Sequence, residues 1–155
     1  MRITTETVEQ TREFGRRLAD LLHAGDLVIL TGPLGAGKTA LTQGIGQGLG
    51  VRGAVASPTF VIARVHPGGR VPLVHVDAYR LASIDEVEDM DLDIGAAESV
   101  TVVEWGAGMA EQLSEDRLEI VIDRSSDTEV RELELRPVGG SWQRRLASGA
   151  LDPAD

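Results

Sequence analysis

Leu27-Val28-Ile29-Leu30-Thr31-Gly32-Pro33-Leu34-Gly35-Ala36-Gly37-Lys38-Thr39 is the stretch on which the fold turns. A short apolar run reads as a buried strand, a glycine-rich turn follows, and the segment from Lys38 to Leu49 reads as a helix closed by Gly50. Gly32, Gly37, Lys38 and Thr39 fill the spacing G-x-x-x-x-G-K-[ST]. That chemistry needs those residue types. Successive backbone N–H groups can converge on phosphate oxygens only where glycine permits the dihedrals and the close approach. A lysine at the end of the turn then reaches the β- and γ-phosphates, the next hydroxyl reaches Mg²⁺, and the helix N-terminus adds its positive end. A strand before the motif and a helix after it are the context that separates a phosphate loop from a chance glycine turn.

Upstream, Thr4-Thr5 is expected to cap a helix from about Glu6 to His23, with Val8, Phe14, Leu18, Leu21 and Leu22 as its apolar stripe. Gly25-Asp26 turns the chain into the apolar strand. Downstream, Gly44, Gly46 and Gly48 weaken the helix after the loop, so packing must hold it. A strand from Ser57-Pro58-Thr59 to about Val65, a turn at Pro67-Gly68-Gly69 and a strand from Val71 to Asp77 suggest a hairpin. The carboxylates of residues 84–94 read as the solvated face of a short helix. Thr101 to Trp105 reads as a buried strand, with a helix near 108–114 after it. Strands at 117–123 and 129–136 alternate as an antiparallel pair at one side of the sheet. Beyond Pro137 the composition turns to Gly, Ser, Arg and Ala, which predicts a domain over residues 1–136 and a frayed tail over 137–155.

A phosphate loop calls for a carboxylate at the end of a neighbouring strand to orient Mg²⁺ or its water. Glu104, ending what reads as a central strand, is the first candidate, and Asp77, ending Val74-His75-Val76-Asp77, is the second. Alternation puts His75 on the face of Asp77, and Trp105 reads equally as core or as contact surface.

The remaining composition narrows the function. Lys38 is the only lysine, and the chain has no asparagine, so the Asn-Lys-x-Asp element that reads guanine cannot be built and adenine is the expected base. A net charge of −10, with 25 carboxylates against 15 cations, argues against a strong nucleic-acid grip by this chain alone. No apolar run approaches the ~20 residues of a membrane span. The N-terminus carries no signal-peptide pattern and there are no cysteines, so a cytoplasmic location is expected.

Four motifs in order then carry a resemblance: Gly32 to Thr39, Ser57-Pro58-Thr59-Phe60, His75-Val76-Asp77-Ala78-Tyr79-Arg80-Leu81 and Val103-Glu104-Trp105-Gly106. Over about residues 5 to 136 the chain resembles the TsaE (YjeE) family, the ATPase component of bacterial tRNA threonylcarbamoyladenosine synthesis. The resemblance implies a single three-layer α/β domain of the P-loop NTPase class, with a mixed, mostly parallel sheet flanked by helices. It implies ATP or ADP held by Gly32, Pro33, Leu34, Gly35, Ala36, Gly37, Lys38, Thr39, Ala40 and Thr59, with Mg²⁺ on Thr39 and Glu104. Lys38, Glu104 and Asp77 would be the catalytic residues, and Tyr79, Arg80 and Trp105 would lie near the site or a partner surface. Family members work with the TsaB–TsaD pair, in which TsaD transfers the threonylcarbamoyl group, so tRNA would be met only through partners. Pro33 departs from the Asp or Glu frequent there and leaves the glycines and Lys38 intact.

Two other readings compete. A small-molecule kinase of the shikimate or nucleoside type would carry an Arg-rich lid late in the chain. Residues 106–116 hold no Arg and three acids instead. A nucleotide-sensing module with negligible hydrolysis would carry the same motifs as the ATPase.

Overall fold

The strand that feeds the glycine turn is apolar on both faces because it lies inside a sheet covered on both sides, as strands of parallel sheets do. In the computed structural model, residues 1–33, 37–51, 63–77, 98–104, 116–124, 129–148 and 151 are described. They form β1 (Arg2–Thr5), α1 (Val8–Ala19), β2 (Leu27–Thr31), α2 (Lys38–Leu49), β3 (Ala63–His66), β4 (Leu73–Asp77), β5 (Val100–Glu104), β6 (Arg117–Asp123), β7 (Arg131–Val138) and α3 (Gly140–Ala147). The sheet order is β1-β7-β6-β2-β5-β4-β3. β2 pairs in parallel with β5 and β6, and β4 in parallel with β5. The hairpin partner β3 and the strands β7 and β1 are antiparallel additions at the two edges. The architecture is thus α/β with a mixed sheet whose centre is parallel. The expected helices at 84–94 and 108–114 lie outside the described residues.

Register lines up the core in rows. Val28 stands opposite Val102 and Leu118, and Leu30 opposite Glu104 and Ile120. Helices α1 and α2 lay Phe14, Leu18, Leu41, Ile45 and Leu49 on this face, so the buried cluster runs from the helices through Val28, Leu30 and Val102 to Leu133 and Leu135.

Two of the three glycines that weaken α2 are explained by its neighbour. A Cβ on Gly44 would sit 2.1 Å from the carbonyl oxygen of Arg12, and one on Gly48 2.7 Å from that of Arg16. Gly15 of α1 answers from the other side, where a Cβ would lie 2.5 Å from the Leu41 oxygen. The two helices touch backbone to backbone, and Arg12 and Arg16 donate across the seam to Gln43 and Gln47. Gly44→Ala gains about 1 kcal/mol of helix propensity. It also forces backbone atoms apart, a cost of roughly 1–3 kcal/mol and occasionally more. With contacts this short the cost should win, and a net loss of about 1–2 kcal/mol would lower Tm by roughly 2–8 °C at about 2–4 °C per kcal/mol for a chain of this size. A melting curve unchanged or shifted upward would show that the helices part freely.

Two expectations are corrected. Thr4 and Thr5 do not cap α1: they belong to β1, antiparallel to β7, and the cap is Thr7, whose hydroxyl accepts the Gln10 N–H at 3.1 Å. The helix stops at Ala19 rather than His23, with Asp20 as its C-cap.

The second correction concerns the tail expected to fray from Pro137. β7 runs on to Val138, and α3 packs Trp142, 0% exposed, into the core beside Leu151. Arg145 fixes this helix by donating to both carboxylate oxygens of Asp26 at 2.6 and 3.1 Å and to the Leu21 carbonyl at 3.2 Å. Its guanidinium also lies 4.4 Å from the Trp142 ring centroid. One buried aromatic and one bidentate pair thus outweigh a polar composition. Among the described residues no helix is long and apolar enough to cross a membrane.

Candidate functional site

The site lies at the C-terminal ends of the parallel strands, where open α/β sheets bind their ligands. β2 ends at Thr31, and Gly32 and Pro33 lead off its end. The chain re-enters at Gly37, whose φ of +106° is a conformation L side chains rarely adopt, and Gly37 is the N-cap of α2. The first N–H groups of a helix have no intrahelical partner. Here the helix start carries no side-chain cap and no acid in the first turn. That is the arrangement of an anion site.

Lys38 is buried at 6% exposure, and its ammonium is turned back over the loop, donating to the Gly32 carbonyl at 2.7 Å and the Pro33 carbonyl at 2.9 Å. The helix behind it is tied by Thr42, whose hydroxyl donates to the Lys38 carbonyl at 2.8 Å. Thr39 and Ala40 follow in the first turn, both half-buried. Of the expected loop residues, Leu34, Gly35 and Ala36 lie outside the described residues, as does Thr59; so do Tyr79, Arg80 and Trp105.

Glu104 closes β5 at 3% exposure. Register sets it opposite Leu30, one strand across from the foot of the loop, and opposite Asp77 at the end of β4. The two candidate acids are therefore neighbours. His75 is 0% exposed, and its Nε2 lies 3.5 Å from Glu104 Oε1.

Two residues that sequence reasoning missed border the loop on its other side. A Cβ at Gly37 would lie 3.9 Å from the Arg131 side chain and from the Thr11 methyl. Arg131 opens β7, and Thr11 pairs its hydroxyl with Thr5 at 2.7 Å. No local pattern marks Arg131 among the other arginines; only the strand pairing brings it here.

The residues fit a magnesium nucleotide. The donor set is a buried ammonium, the N–H groups of the first turn of α2 and a hydroxyl, with one buried carboxylate a strand away. Among the described residues no three His, Cys, Asp or Glu side chains cluster as a metal cage. Mg²⁺ needs none, because it binds through one or two carboxylates together with phosphate oxygens and water.

Comparison with known proteins places the chain in a family and a fold. Residues 5–133 match the family described as Threonylcarbamoyl adenosine biosynthesis protein TsaE. A Streptomyces coelicolor protein named tRNA threonylcarbamoyladenosine biosynthesis protein TsaE is 64% identical over 137 residues, covering 84% of this chain and 93% of that protein. A Bacillus subtilis protein of the same name is 41% identical, covering 90% of this chain and 87% of its own. The crystal structure of Bacillus subtilis YdiB superposes with a TM-score of 0.79 at 33% identity, covering 96% of this chain and 92% of that one.

Proposed function

The chain belongs to the TsaE family of threonylcarbamoyl adenosine biosynthesis proteins, and from that premise we propose that it binds and hydrolyses ATP to support a TsaB–TsaD complex modifying tRNA. The observation that carries this reading is the buried Lys38, its ammonium bonded to the Gly32 and Pro33 carbonyls, with Glu104 at the adjoining strand end.

In this reading Lys38 exchanges the Gly32 and Pro33 carbonyls for the β- and γ-phosphates, a swap between acceptors that leaves the ammonium satisfied throughout. The N–H groups of the first turn of α2 hold the phosphates by their partial positive charge. Thr39 and Glu104 hold the metal. Mg²⁺, when bound, neutralises charge on the phosphate oxygens during transfer. Asp77, opposite Glu104, is the second acid able to orient a water. With the metal acid on the β5 side of β2, the nucleoside leaves the loop towards β6 and β7, where Arg131 and Thr11 flank Gly37. A guanidinium plane stacks on a purine without needing a base-reading asparagine, and this chain has none. The acidic charge fits a protein that leaves tRNA to its partners.

The test is ATP hydrolysis by the purified protein, alone and with a TsaB–TsaD pair. Weak turnover that rises several-fold with the pair is expected. Binding of ATP with no response to the pair would remove the partner role, and phosphoryl transfer to a small metabolite would replace it with the kinase reading.

A further inference from the structure

His75 stands where the sheet asks for an aliphatic residue. It is opposite Val102, in a row that continues through Val28 to Leu118, and each of these side chains is fully buried. A histidine in a core ordinarily satisfies its ring nitrogens. Neither nitrogen of His75 has a hydrogen-bond partner, although the ring is wholly enclosed. Leaving a buried polar group unsatisfied is destabilising relative to the aliphatic alternative. The direction of the ring supplies a reason for bearing that cost. Nε2 is aimed at Glu104 Oε1, 3.5 Å away, two residues further along and one strand over. That is longer than the 2.7–3.2 Å of a formed N–H···O bond. Contacts of this kind are often long before ligand binds and tighten in the loaded state.

We infer that His75 is a positioning residue for the metal-binding carboxylate, donating Nε2–H to Glu104 Oε1 and so fixing the orientation of that carboxylate. The inference rests on the nucleotide reading of the site given above. Partners that hold a ligating carboxylate set its orientation, and their loss typically weakens metal affinity or activity 10–100-fold, here expected as about that factor.

The experiment is calorimetric titration of ADP into wild type, His75→Leu and His75→Gln, first in EDTA and then across a Mg²⁺ series, with a melting curve for each. His75→Leu should bind ADP in EDTA as wild type does while needing about 10–100-fold more Mg²⁺ for the metal-dependent gain in affinity. His75→Gln, which keeps a donor of similar reach, should recover part of the loss. Should His75→Leu fail to fold, His75→Asn carries the test, since its amide is too short to reach Glu104 and the same loss is expected. A Mg²⁺ series unchanged from wild type overturns the inference, as does an equal loss of ADP binding with and without metal, which marks packing alone. Absence of ADP binding by wild type itself would instead overturn the nucleotide reading, a result distinct from either.

Discussion

Lys38→Ala is expected to weaken ADP binding by roughly 100-fold or more. Hydrogen bonds to charged groups are each worth about 1.5–3 kcal/mol. Two of them lost at one phosphate site correspond to roughly two to four decades in Kd at about 1.4 kcal/mol per decade. The geometry makes Lys38 hard to replace. The side chain is buried and its ammonium is bonded to the Gly32 and Pro33 carbonyls, and the chain holds no other lysine. Lys38→Gln separates charge from bonding: it keeps a donor inside the loop and should fall between wild type and Ala, since neutral bonds are about half as strong. Calorimetry with ADP reads both. Binding by Lys38→Ala within threefold of wild type would mean that the helix N–H groups alone hold the phosphates.

How much could be read without coordinates depended on how local each signal was. The phosphate loop spans eight consecutive residues, so glycine spacing, lysine and hydroxyl are visible together. β2 and β5 are legible because a strand covered on both faces is continuously apolar, and an acid ending such a run, as Glu104 does, stands out. The hairpin of β3 and β4 and the pair of β6 and β7 follow from turns and alternation over short distances.

Long-range pairing was invisible. β1 has four residues, and its partners lie in β7 at the far end of the chain, so Thr4 and Thr5 resemble a helix cap until β7 is beside them. The C-terminal helix is eight residues long, and what holds it is a bond from Arg145 to Asp26, 119 positions away. Asp26 is read locally as a turn residue, which it also is, accepting the His23 N–H at 2.6 Å. Arg131 and Thr11 reach Gly37 only because β1, β7 and α1 converge on one side of the loop. The loop motif thus specifies the phosphate end of the site locally, while the end assigned to the nucleoside is assembled from both ends of the chain.

Glu104→Gln should separate binding from turnover most sharply. The amide keeps the length and volume of the carboxylate in a buried position, so the fold and ADP binding in EDTA should stay within about threefold of wild type, as expected for a volume-conserving change. Mg²⁺-dependent hydrolysis should fall by roughly 100-fold or more, because the metal's stabilisation of transferring phosphate is worth several kcal/mol and each ~1.4 kcal/mol is tenfold in rate. Asp77→Asn is the matching variant, since register sets Asp77 opposite Glu104 and either acid is within one strand pairing of the other. If Glu104 holds the metal, its Mg²⁺ requirement shifts while that of Asp77→Asn stays at the wild-type value and only its turnover drops. Hydrolysis preserved in Glu104→Gln and lost together with metal dependence in Asp77→Asn would exchange the two roles. The positioning assigned to His75 would fail with that exchange, because His75 faces Glu104.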